Sequence, residues 1–129
     1  MSNLGDNFLW TCKSTYLKGL SPFDFDNRDK QECKYIIETG KSLIKERGLQ
    51  SFLGFLMEGQ YYIQLWAALI ALEYGDIPKE EKLSYNTSKT ILECCIEEVE
   101  KYITHSKNAE FKKNAELWLQ RIIDKQRIL

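Results

Sequence analysis

The chain has 129 residues, a formal charge of −1, 43% hydrophobic and 29% charged residues. That length suits one domain with a real apolar core, needing neither metals nor disulfides to hold it. The near-neutral balance excludes the strong basic excess of a typical nucleic-acid binder.

Asn7 to Lys18 carries Phe8, Leu9, Trp10, Cys12, Tyr16 and Leu17 at a spacing that predicts a short helix, ended by Gly19 and the Ser21-Pro22 turn. The first twenty residues hold Asp6, Trp10 and Lys13 without an uninterrupted apolar run, so no signal peptide is expected. Phe23 to Asp29 is an acidic, aromatic connector, in which Asp26 or Asn27 is placed to cap the next helix. From Arg28 to Arg47, the residues Cys33, Ile36, Ile37, Gly40, Leu43 and Ile44 repeat with helical period, and Gly48 suits the position after the helix end. Leu49 to Glu58 reads as a short, very apolar helix.

Gly59 to Gly75 is the stretch around which the rest is organised. Its apolar residues run nearly all the way round a helix, which predicts a rod covered on every side. Ala67, Ala68 and Ala71 let neighbours approach closely. The longest apolar run, Leu65 to Leu72, is far short of the roughly 20 residues that span a bilayer, so a soluble, cytoplasmic protein is expected. Pro78 suits a first helical turn, with Glu80 and Glu81 near the positive dipole end. After an irregular joint at Ser84 to Asn86, Thr87 to Thr104 predicts an amphipathic helix that buries Leu92, Cys95, Ile96, Val99, Tyr102 and Ile103. Its outer face holds Lys89, Glu93, Glu97, Glu100 and Lys101, with Glu97 and Lys101 spaced as a surface pair. The last helix runs from Ala109 to about Gln126 and buries Phe111, Ala115, Trp118, Leu119 and Ile122. No segment alternates as a strand would. The expectation over residues 1–129 is a single all-α domain: a compact antiparallel bundle or short HEAT-like array of five to seven helices.

Signs of chemistry are few. Cys12, Cys33, Cys94 and Cys95 form no CxxC pair, and reduced thiols acting as small hydrophobes account for them. His105 suits a helix C-terminus better than a metal site with Cys94 and Cys95. Glu93, Glu97 and Glu100 share a helix face but lack the histidines of a di-iron centre. Asp24-x-Asp26-x-x-Asp29 lacks the glycine and glutamate of an EF-hand loop. Glycine loops for phosphate and nucleophile elbows are absent. Neither catalytic residues, a metal nor a cofactor is expected, and the chain reads as a binder rather than an enzyme.

What remains is Tyr61, Tyr62, Tyr74, Tyr85, Phe23 and Phe25 beside Glu58, Glu73, Asp76, Glu80, Glu81, Asp24 and Asp26, and between Ser51 and Ile77 there is no Lys or Arg. Aromatics anchor interfaces and acids steer basic partners. The bland account makes the tyrosines core edges and the acids helix caps.

The run Leu65-Trp66-Ala67-Ala68-Leu69-Ile70-Ala71-Leu72-Glu73-Tyr74-Gly75-Asp76, followed by Pro78-Lys79-Glu80, an Ile/Cys-rich helix and Ala115-Glu116-Leu117-Trp118-Leu119, resembles small α-helical immunity proteins of bacterial contact-dependent growth inhibition and related polymorphic toxin systems. The resemblance covers the C-terminal two-thirds. It implies a cytoplasmic protein that binds a cognate toxin domain, often a nuclease, and occludes its active site, with no nucleic acid or membrane as partner. The resemblance supplies no binding residues. Charge and position beyond the core helix point to Tyr74, Asp76, Glu80, Glu81 and Tyr85 as the partner-binding patch. The alternative is a helical-repeat adaptor with no toxin partner.

Overall fold

The computed structural model describes residues 4–27 and 30–128. Among them are six α-helices: α1 (Leu4–Leu17), α2 (Gln31–Arg47), α3 (Leu49–Phe52), α4 (Ile63–Tyr74), α5 (Ile91–His105) and α6 (Ala109–Ile128). A short hairpin of β1 (Lys82–Leu83) and β2 (Asn86–Thr90) lies between α4 and α5, and 3-10 turns occupy Phe25–Asn27 and Leu53–Met57. The expected compact all-α architecture is the observed one.

α4 is the hub. Ile63 and every residue from Leu65 to Leu72 are buried, so the rod is wrapped on all sides. Helices pack largely in chain order, α1 on α2, α2 on α4, α4 on α5 and α5 on α6. The close approach of α2 to α4 occurs at Gly40, where a Cβ would stand 2.7 Å from Ile70 Cδ1. Gly19 and Gly48 end α1 and α2 with positive φ, 78° and 85°, which glycine adopts without steric cost. Phe8, Phe23 and Phe52 complete the core with edge-on ring contacts, Phe8 against Phe52 at 5.5 Å and Phe23 against Trp118 at the same distance.

Several boundaries differ from the expectation. Gly59 to Tyr62 is a corner rather than the first turn of α4, because Tyr61 and Tyr62 take left-handed conformations, φ 54° and 59°. Neither Asp26 nor Asn27 caps α2; both lie in the 3-10 turn Phe25–Asn27, and Lys30 is the N-cap, without a side-chain bond. Arg28 and Asp29 fall outside the described residues, and with them the start expected for α2 and the last carboxylate of the Asp24-x-Asp26-x-x-Asp29 pattern. Pro78 opens no helix, since the chain from Asp76 to Glu81 is loop and turn. Of the joint expected at Ser84 to Asn86, Ser84 and Tyr85 are a hairpin turn, and Asn86 to Thr90 is strand. β1 and β2 pair antiparallel with Lys82 opposite Thr90 and Leu83 opposite Asn86, a register irregularity separating the two. α5 therefore begins at Ile91, where a capping box forms: the Glu93 amide donates to Thr90 Oγ1 at 3.1 Å, and the Thr90 amide donates to Glu93 Oε1 at 3.0 Å. Glu97 pairs with Lys89 at 2.5 Å and Lys101 with Glu98 at 3.3 Å, in place of the expected Glu97–Lys101 pair.

Candidate functional site

Tyr74, the last residue of α4, and the loop and hairpin that follow it hold the five sequence-selected residues. Ser84 and Tyr85 make the hairpin turn and Leu83, the buried residue of β1, plugs it into the core. Gln50 of α3 then fastens it. Its Nε2 donates to Glu81 Oε2 at 2.9 Å and to the Lys82 carbonyl at 2.7 Å, and its Oε1 accepts from the Ser84 amide at 3.0 Å. One turn along, the Tyr85 hydroxyl donates to the Leu53 carbonyl at 2.8 Å. At the near end, a Cβ on Gly75 would come within 3.1 Å of Leu49 Cδ1. The segment from Gly75 to Tyr85 thus runs beside residues 49–53, which gathers the patch along one edge of the molecule.

The five residues divide by what they touch. Asp76 and Glu80 are exposed, and Asp76 holds a left-handed φ of 46°. Glu81 and Tyr85 spend polar atoms on the brace, although Tyr85 as a residue is 45% exposed. Burial also pushes the Tyr85 phenol above its ordinary value. Tyr74 is 41% exposed, and Lys41 from α2 places its Nζ 4.8 Å from the ring centroid. With Lys79 and Lys82 interleaved among the acids, this edge is mixed in sign, although its neighbour in sequence, Ser51 to Ile77, holds no base.

A second aromatic surface was only half legible in the chain, which offered Tyr61 and Tyr62 among its candidate anchors but not Trp10, Tyr16 or Tyr102. Trp10 and Tyr16 of α1 are exposed, and the Gly59–Tyr62 corner brings Tyr61 and Tyr62 against them. Tyr16 makes edge-on contacts with Tyr61 and Tyr62 at 5.5 and 5.3 Å, and Tyr62 reaches Tyr102 of α5 at 6.1 Å. The Tyr102 hydroxyl is hydrogen-bonded to Ser21 Oγ at 3.0 Å. Three clefts, of about 590, 280 and 260 Å³, open around this corner. Two consecutive left-handed tyrosines cost roughly 1–3 kcal/mol each, and such outliers gather at functional surfaces. Tyr16 and Tyr102 come from two further segments, so no local pattern tied them to Tyr61 and Tyr62.

The inward polar groups and thiols have structural partners or none that suggest chemistry. Gln64 donates to the Leu56 carbonyl, and Glu73 accepts from the Trp118 indole N–H. His105 Nδ1 donates to the Lys101 carbonyl at 2.8 Å, at the end of α5. None of the four cysteines is in a disulfide; burial pushes the Cys12 thiol up and the Cys95 thiol to about 12, which suppresses the reactive thiolate. Among the described residues, no group of three or more His, Cys, Asp or Glu is placed to hold a metal ion, and no helix is long and apolar enough to cross a membrane. The chain matches no protein-family model, no curated protein and no solved structure.

Proposed function

We propose that the chain is an immunity protein: it binds a cognate toxin domain of a polymorphic toxin system and neutralises it by covering the toxin's active site. The resemblance of the α4 run and of the Ala115–Leu119 segment supports the class. The observation that carries the binding surface is the braced edge from Tyr74 to Tyr85. Its loop is held by three Gln50 hydrogen bonds and one from Tyr85, while Tyr74, Asp76 and Glu80 stay exposed. A loop fixed before encounter loses less conformational freedom on binding, which favours slow dissociation. The exposed acids are suited to a basic nuclease cleft, and their contribution belongs mainly to the association rate.

The test is co-expression with the toxic domain of the effector encoded beside this chain. Rescue of growth, and a complex that survives purification, are the expected results. Reversing Asp76 and Glu80 to lysine is expected to slow association about tenfold at low salt and to flatten its salt dependence. Failure of the wild-type chain to protect cells from that domain overturns the reading. Unchanged association kinetics in the charge-reversed protein move the surface elsewhere. A second reading, an adaptor that binds a partner without inhibiting a toxin, draws support from the chain-order packing of the helices; it is separated by binding without neutralisation.

A further inference from the structure

We propose that the cleft between α1 and the Gly59–Tyr62 corner is a receptor for an arginine side chain presented by the protein partner. This rests on the protein-binding reading above and names what the partner brings to a second surface.

The cleft has a volume of about 280 Å³ and is lined by Asp6, Trp10 and Lys13 on one side and Glu58, Gln60 and Tyr61 on the other. Two of its walls are aromatic faces and two are carboxylates. A cation is already seated there. Lys13 extends its Nζ to 5.3 Å from the Trp10 ring centroid and 5.7 Å from that of Tyr61, within the range of attraction to the negative face of an aromatic ring. Trp10 is nevertheless 67% exposed, an unusual position for so large an apolar ring. Tyr61 is fixed by its left-handed backbone and by its edge-on contact with Tyr16, so its face is presented without a search for geometry.

Lys13 is the occupant of the free protein rather than the best ligand. Its ammonium is a compact, strongly hydrated charge on a flexible stem, and it leaves toward water at little cost. A guanidinium is flat and weakly hydrated. It stacks on indole and phenol faces and donates two parallel hydrogen bonds to a carboxylate, which the exposed Glu58 provides. The chemistry of this cleft therefore fits arginine better than the lysine it holds.

The probe is the peptide acetyl-Gly-Arg-Gly-amide, compared with the same peptide carrying citrulline, which keeps the shape and loses the charge. In nitrogen-15 spectra the Trp10 indole resonance is expected to move with the arginine peptide and to stay with the citrulline one. The buried Trp66 and Trp118 serve as internal references. Lys13→Gln is expected to tighten peptide binding about twofold to fivefold, because the resident cation is gone, and Trp10→Ala to abolish the shifts that the peptide causes at the backbone amides of Lys13 and Tyr61, which line the same cleft. An equal response to both peptides, or no response in wild type and Lys13→Gln alike, overturns the assignment. If the peptide binds and the neighbouring toxin domain is not neutralised, the cleft stands and the immunity reading falls. If the toxin is neutralised and the peptide response is absent, the cleft falls alone.

Discussion

Gly40 shows how one missing side chain decides how closely two helices meet. It is buried within α2, and a Cβ there would lie 2.7 Å from Ile70 Cδ1, 3.2 Å from Ile70 Cγ2 and 3.4 Å from Phe52 Cζ. Glycine inside a helix costs roughly 1 kcal/mol relative to alanine, so propensity alone favours Gly40→Ala. Crowding of a close-packed core costs about 1–3 kcal/mol and wins here, because Ile70 is fully buried and has little room to turn. Gly40→Ala is expected to lower the free energy of unfolding, read from the urea midpoint. Ile70→Val removes the Cδ1 that is struck, so the double variant is expected to lose less than the two single losses summed. A Gly40→Ala protein more stable than wild type by the full helix-propensity gain of roughly 1 kcal/mol would show that α2 and α4 are not in contact at this point. The same economy of space explains why Ala67, Ala68 and Ala71 were readable in the chain as small residues at helix contacts: all three are buried in α4.

At the scale of elements, the helices were legible wherever apolar residues recur every three or four positions, as in α2, α5 and α6. Polar residues that do more than face water were not. The hairpin escaped because Leu83 is the residue that it buries, while Lys82 and Ser84 to Ser88 offer no alternation of apolar and polar sides. The signal that could have placed the start of α5 was Thr90-x-x-Glu93, a capping box directly before the apolar run. Thr87, chosen instead, is strand. Thr90→Ala is expected to cost about 1 kcal/mol through the loss of the side-chain acceptor for the Glu93 amide. Hydrogen bonds from Thr90, its backbone amide first and then its side chain, hold the Glu93 carboxyl below its ordinary value. A depressed folded value means that the carboxylate form is favoured by folding. Its stabilisation is fully present above the unfolded value, about 4.3, and is lost as pH falls through the lower folded value. Wild type is therefore expected to be more stable than Glu93→Gln at pH 7, with the gap narrowing as the solution is acidified through that window. Urea midpoints of the two proteins measured across the acid range check the sign, and a gap that widens in acid would contradict it.

For the molecule as a whole, the arrangement separates a core that decides the fold from an edge that is free to act. Within α4 only Gln64, Glu73 and Tyr74 reach the surface, so the run that carries the resemblance lies mainly in the interior. The candidate edge was legible as residues in the chain but not as a structure, because its brace comes from Gln50, an unremarkable polar residue over thirty positions earlier in the chain than the groups it holds. That brace gives a way to test the edge without touching it. Gln50→Ala removes two donated bonds and one accepted bond, leaving Asp76, Glu80 and Tyr74 chemically intact. If the loop is rigid because of Gln50, amide exchange at residues 81–85 is expected to accelerate in the variant while the buried amides of α4 keep their protection. Stability is expected to fall by about 1–2 kcal/mol, since these bonds are partly exposed and water replaces some of what they supply. Affinity for the toxin domain is expected to fall as well, through faster dissociation, because ordering the loosened loop now opposes the bound state. A partner that bound elsewhere would not sense the change: wild-type affinity in a Gln50→Ala protein with a demonstrably loosened hairpin would remove the Tyr74–Tyr85 edge from the interface, whatever the partner.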